Sequence, residues 1–308
     1  MRWNNLTGPS EFILMGLSSR SEDQKPLFVI FLIIYLVTLV GNLIIILAIY
    51  SDSRLQTPMY FFLSVLSFVD ICYTTVIIPK MLINFLTETK TILYSECLIQ
   101  MYFFFGNVDS YLLGVMAIDR YVAISNPFHY VTVMSHKFCV LLLAISFTIP
   151  FLHSLLHVLL VNRLTFCASN IIYHFFCDVN PMLKISCSST FVNEIVIKTE
   201  GLSVIMTPFT CIIISYLRIL ITVLKIPSAA GKYKAFSTCG SHITVVVLFY
   251  GSISYVYFQP LASYTVKDRI ATLFYTILTP MLNPFIYSLR NKDMKQGLRK
   301  LLVRIKSQ

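Results

Sequence analysis

Seven apolar stretches, each about 20 residues or longer, run through this chain, and each can cross the hydrocarbon core of a bilayer as a helix. They lie near 27–50, 58–83, 97–125, 139–160, 196–226, 236–260 and 269–289. Of 308 residues, 56% are hydrophobic and only 12% charged, about half the charged share of a soluble domain. The predicted architecture is an all-α membrane protein, a seven-transmembrane helix bundle. No internal repeat, low-complexity tract or second domain is evident, so 1–308 reads as one domain. It divides into an N-terminus over 1–26, the bundle over 27–289 and a tail over 290–308.

Basic residues set the orientation. With the N-terminus extracellular, Arg54, Arg120, Lys137, Arg218, Lys225, Lys232 and Lys234 fall at cytoplasmic ends. The tail adds Arg290, Lys292, Lys295, Arg299, Lys300, Arg304 and Lys306, against only Asp52, Asp119 and Asp293. The net charge of +10 is therefore a membrane-facing inner surface, and no soluble domain carries it toward nucleic acid. The first 25 residues are polar and lack the apolar core of a cleavable signal peptide, which makes the first helix an uncleaved anchor. The Asn5-Leu6-Thr7 glycosylation sequon falls on the outside.

Cysteines divide by side. Cys97, Cys167, Cys177 and Cys187 lie outside, where oxidation is favoured, and allow three pairings. Cys72, Cys139, Cys211 and Cys239 lie in helices or near the cytosol. The loop over about 161–195 is the longest connection, and long loops are usually functional. A Cys/His zinc reading of that loop, through His174, is set aside.

Several motifs carry chemistry. Asp119 beside Arg120 ends the third apolar stretch, where an ion pair at the bilayer–water boundary can be made or broken by a modest rearrangement. Asp70 and Asp109 fall at mid-membrane depth, where a charge is costly and suggests function. With Asn42, Asn283 and Ser110 or Ser67 they could line one polar pocket holding Na⁺; the alternative is a protonated, hydrogen-bonded acid. Pro284 removes a backbone bond within the seventh stretch and makes a bend point, with Asn283 placed to satisfy freed backbone groups. Met294, Leu298, Leu301, Leu302 and Ile305 recur at helical spacing among Lys and Arg, a short amphipathic C-terminal helix suited to an anionic inner leaflet, which Gly297 weakens.

The stretch Met116-Ala117-Ile118-Asp119-Arg120-Tyr121-Val122-Ala123-Ile124, with Asn126-Pro127-Phe128-His129-Tyr130, resembles the end of the third helix in rhodopsin-like (class A) G-protein-coupled receptors, and within them the olfactory (odorant) receptors of the tetrapod-type class II. Pro58-Met59-Tyr60-Phe61-Phe62-Leu63-Ser64, Lys234-Ala235-Phe236-Ser237-Thr238-Cys239-Gly240-Ser241-His242 and Thr279-Pro280-Met281-Leu282-Asn283-Pro284-Phe285-Ile286-Tyr287 resemble further signatures of that family. Phe249-Tyr250-Gly251 stands where most rhodopsin-like receptors carry Trp, which is the olfactory version.

The resemblance implies a plasma-membrane, multi-pass receptor of olfactory neuron cilia. It would bind a small hydrophobic odorant in the outer half of the bundle and activate a heterotrimeric G protein, Gα(olf)/Gα(s), to raise cAMP. By family position the odorant would meet Tyr102, Phe103, Gly106, Val204, Ile253, Ser254, Tyr257, Leu273 and Thr276 above a floor at Tyr250. The switch would comprise Asp119, Arg120, Tyr216, Asn283, Pro284 and Tyr287, with both tyrosines meeting Arg120 once it leaves Asp119. The implied disulfides are Cys97–Cys177 and Cys167–Cys187. No cofactor is implied beyond a Na⁺ at Asp70 and Asp109, where the family usually has Glu in place of Asp109.

Enzymatic readings find no support. His153 and His157 sit four apart on one helix, but no Glu lies between them and no third ligand is apparent, so they read as packing or polar contacts and no metal is expected. Phosphate-binding loops, Cys-x-x-Cys pairs and serine elbows are absent from the sequence, and the halves do not match as transporter repeats do. Of Glu200 and Lys198 on the fifth helix, either one faces the pocket or both snorkel or pair nearby. One departure stands out: Cys97 and Arg120 are two positions closer than the family usual, about 3 Å of helix and roughly 200° of rotation. That predicts an outer helix 3 that is displaced, bulged or lowered in the bilayer.

Overall fold

The computed structural model describes residues 9–104, 107–167, 169–257 and 266–306. Among them, seven helices are long and apolar enough to cross a membrane. Helix 1 spans Ser21–Ser51, helix 2 Pro58–Leu86, helix 4 His136–Val161 and helix 6 Ala229–Tyr257. Helix 5 joins Phe191–Val196 to Leu202–Leu224 through a π-turn at Ile197–Gly201. Helix 7 joins Val266–Leu273 to Thr279–Arg290 through another at Phe274–Leu278. Helix 1 starts ahead of its apolar run because Glu22 and Asp23 in its first turn complement the helix dipole.

The bundle is packed inside out. On helix 1, Val29, Ile33, Leu36, Val40, Leu43 and Leu47 form one stripe, 43% to 56% exposed. Their spacing of three and four residues puts them on a single face, which lipid covers. The opposite face buries Phe31, Thr38, Asn42, Ile45 and Ile49, so the polar groups point inward.

Helix 3 is interrupted. Its outer segment is described over Tyr94–Phe104, and Val108–Ser125 begins after Asn107, whose φ of +44° lies in the left-handed region that Asn tolerates better than most residues. The left-handed turn at Asn107 divides the 97–125 helix expected from the sequence into two described segments. The restart is capped from outside: Val108 N–H donates to Tyr73 Oη at 3.1 Å, and Ser110 Oγ donates to Asn107 O at 2.8 Å.

The N-terminus is more ordered than its polar composition suggests. Strand β1 (Glu11–Leu14) pairs antiparallel with β2 (Thr91–Leu93) and parallel with β3 (Ile171–Ile172), giving the order β2-β1-β3. Phe12 and Leu14 alternate inward and are fully buried, and Phe12 meets Phe166 edge-on at 5.3 Å. Cys97 and Cys177 are joined across 80 positions, Cys167 and Cys187 across 20. Gln100 seats this cap on the bundle, donating to Val76 O at 3.1 Å and accepting from Cys177 N–H at 3.2 Å.

At the inner end, Asn291 Oδ1 caps the tail helix Lys292–Lys306, accepting from Asp293 N–H, Met294 N–H and Tyr60 O–H. Gly297 does more than weaken that helix. A Cβ there would lie 2.6 Å from Leu55 Cδ1, so glycine permits docking against the first inner turn. Arg54 clamps Asp52 with two side-chain bonds, reaches Gln296 Oε1 at 2.8 Å, and holds the Asp52 carboxyl well below the usual carboxylate range.

Candidate functional site: a polar bundle core above a cytoplasmic cavity

Pro284 has no N–H, so the carbonyl four residues earlier, Pro280 O, loses its helical partner. Asn42 of helix 1 supplies one, its Nδ2 donating to Pro280 O at 3.1 Å and to Thr38 O at 3.0 Å. The sequence had assigned that repair to Asn283. Asn283 Nδ2 instead donates to Asp70 Oδ2 at 2.8 Å, tying the proline bend to helix 2.

Asp70 and Asp109 are buried within electrostatic range of each other. Asp109 Oδ1, Asn283 Oδ1 and Asn42 Oδ1 are buried acceptors with no hydrogen-bond partner among the described residues. Asp109 also lines a cavity of about 20 Å³ with Tyr73, Thr276 and Tyr275, room for one water-sized guest. Of the residues expected to hold Na⁺, Asp109 is the one that lines this cavity, and its orphaned carboxylate oxygen is the donor type that a small hard cation prefers. Ser110 Oγ is spent on Asn107 O, and Ser67 is buried in helix 2.

Below this core the Asp119–Arg120 ion pair expected from the sequence does not form. Asp119 Oδ1 accepts from Tyr130 O–H at 2.7 Å, while Arg120 Nε has no partner among the described residues. Burial beside Asp119 pushes the Tyr130 phenol far above its ordinary value, which keeps it protonated as the donor. Arg120, Asp119, Tyr60, Tyr287 and Ser241 line a cavity of about 780 Å³ at the cytoplasmic end. Tyr287 Oη is buried and likewise has no partner among the described residues.

Tyr216 does not reach Arg120 here; its hydroxyl bonds His242 Nδ1 at 2.8 Å. His242 Nε2 lies 3.0 Å from Leu113 O, which can only accept. Nε2 therefore carries the proton, and Tyr216 donates to Nδ1. Helices 3, 5 and 6 are locked together by one imidazole whose bridging role sequence reasoning missed, although His242 stands in a quoted motif.

The residues expected at an odorant pocket are only partly assembled. Tyr250, Ile253, Thr276 and Val204 are buried, and Tyr250 packs on Phe209 at 4.8 Å. Ser254 is half-buried in helix 6. Tyr102 instead stacks on Phe151 of helix 4 at 5.9 Å, Phe103 is 39% exposed, and Leu273 packs toward helices 1 and 2. Asn5, Gly106 and the side chain of Tyr257 lie outside the described residues. The third donor judged missing beside His153 and His157 comes from Glu200, across the helix 4–helix 5 contact. Lys198 lies near Glu194, at 3.9 Å.

The olfactory receptor family profile matches residues 31–305. The chain belongs to the olfactory receptor family. It is 79% identical over 307 residues to human olfactory receptor 1L1, covering 99% of this chain and 85% of that one. Human olfactory receptor 1L3 is 77% identical, with 100% and 96% covered. Rat olfactory receptor 1f45 is 53% identical, with 98% and 97% covered. This olfactory receptor is therefore a multi-pass membrane protein and not an enzyme, and its site is a place for binding and conformational change.

Proposed function

We propose that this receptor takes a small hydrophobic odorant in the outer half of its bundle and passes the signal to Gα(olf)/Gα(s), raising cAMP. The observation that carries the reading is the cytoplasmic cavity, lined by Arg120 and Tyr287, whose Nε and Oη have no partner among the described residues. Buried donors left unpaired are costly, and a carbonyl-rich helix end entering the cavity would satisfy them. Odorant binding must favour this open arrangement over a closed one, or it shifts nothing. Tyr250, Ile253, Ser254 and Thr276, with Val204, are the contacts proposed for it; Tyr250 and Thr276 adjoin the polar core through which the shift would run.

Na⁺ held by Asp70, Asp109, Asn283 and Asn42 would offset buried negative charge and favour the inactive state. Asp119, Arg120, Tyr216, Asn283, Pro284 and Tyr287 make up the switch, with Tyr130 and His242 added as its holding contacts. The coupling is tested in cells lacking Gα(s) and Gα(olf). Restoring Gα(olf) should return odorant-dependent cAMP, and a response that needs neither subunit would overturn it.

A further inference from the structure

We propose that His153, His157 and Glu200 form a binding site for a borderline divalent cation, Zn²⁺ in the first instance, clipping helix 4 to the outer part of helix 5. His153 and His157 are 3% and 0% exposed and sit one helical turn apart, rings 4.5 Å from centre to centre. Glu200 Oε2 lies 2.8 Å from His153 Nδ1 and 3.3 Å from His157 Nε2. All three donor atoms fall within 4.8 Å of one another.

The local backbone is shaped for this approach. Glu200 sits on the π-turn Ile197–Gly201, which inserts an extra residue and re-aims the side chains around it. A Cβ built on the neighbouring Gly201 would lie 3.7 Å from His153 Cε1 and 3.9 Å from His157 Nε2, ordinary contact distances that place both imidazoles against the helix 5 backbone beside Glu200.

Two imidazoles and a carboxylate are the donor set of open zinc sites. Zn–N and Zn–O bonds of about 2.0–2.1 Å place tetrahedral donors about 3.3–3.4 Å apart. The His157–Glu200 spacing is already 3.3 Å; the His153–Glu200 spacing of 2.8 Å must open by about half an ångström. The Glu200 side chain is 35% exposed, leaving a side from which a cation can enter and a water can complete the fourth position. A carboxylate held against two imidazoles within the span is costly to desolvate as an anion, and a dication offsets that cost. Imidazole donors favour zinc or copper over calcium or magnesium.

The test uses the full-length receptor, purified without a histidine tag, stripped with chelator and titrated with Zn²⁺ or Co²⁺. One equivalent should bind tightly and raise the unfolding midpoint until the equivalent is filled. Glu200→Gln and His157→Gln should each weaken binding by about tenfold or more, while His174→Gln should not. Glu200→Cys keeps a ligand and should add a thiolate-to-Co²⁺ charge-transfer band, placing position 200 on the metal even if the removal variants fold poorly. No tight equivalent, binding indifferent to Glu200→Gln and His157→Gln, or a Glu200→Cys spectrum without that band would overturn the site, leaving a histidine–glutamate hydrogen-bond cluster.

Discussion

Asn42→Ala should destabilise this receptor mainly because Pro284 is there. Asn42 Nδ2 is the donor to Pro280 O, the carbonyl that the proline deprives of a partner. A buried acceptor left unpaired costs about 1–3 kcal/mol in soluble proteins. Interhelical hydrogen bonds in bilayers average about 0.6 kcal/mol and reach about 1.7, because separated helices find other partners. Proline removes the N–H that normally bonds the Pro280 carbonyl, so the upper part of that range applies, about 1–1.5 kcal/mol. Pro284→Ala restores a backbone N–H at the position that bonds Pro280 O, making Asn42 redundant for that carbonyl. The loss from Asn42→Ala should then shrink by about 1 kcal/mol, roughly 2 °C in unfolding midpoint for a chain of this size. Lost side-chain volume is common to both backgrounds and cancels in the double-mutant cycle. The assay is thermal unfolding of the four purified proteins in one detergent. Equal losses in both backgrounds, additive within about 0.3–0.5 kcal/mol, would refute the reasoning.

Three further outcomes are expected. His174 is fully buried, and desolvation, reinforced by Arg269, lowers its pKa to about 3. Its contribution is complete above the unfolded value near 6.5 and is lost as pH falls toward 3; at pH 5 the loss is about 2 kcal/mol, so the drop in midpoint between pH 7.5 and 5 should be smaller in His174→Gln. Gly297→Val should push the tail helix off Leu55, at an overpacking cost of about 1–3 kcal/mol, seen as faster hydrogen exchange over 292–303. Tyr130→Phe should free Asp119 to pair with Arg120 and lower ligand-independent cAMP at equal surface display; unchanged basal output would remove Tyr130 from the switch.

The seven spans were legible because their lipid-facing stripes, such as Val29 to Leu47, and most of their inward residues are both apolar, which makes long unbroken apolar runs. The cytoplasmic motif likewise placed Arg120 and Tyr287, which line one cavity. Pairwise contacts were not legible. Nothing near Asn42 in the sequence says that its amide serves a carbonyl 238 positions away, nor that Tyr130 takes Asp119 from Arg120. Glu200 escaped because the partners of a residue on a π-turn depend on a backbone register that period counting misses. The strand Glu11–Leu14 was hidden by polar neighbours; the alternation of Phe12 and Leu14 was its only signal. The departure from an unbroken third helix is seen at Asn107, whose left-handed backbone no apolar-run reading of 97–125 reports.

The most direct measurement is cAMP output against a panel of hydrophobic odorants in cells displaying the receptor together with Gα(olf), comparing the native chain with Arg120→Ala at matched surface levels. The account predicts a dose-dependent rise for at least one odorant and its loss in Arg120→Ala. A rise that survives Arg120→Ala undiminished would contradict it.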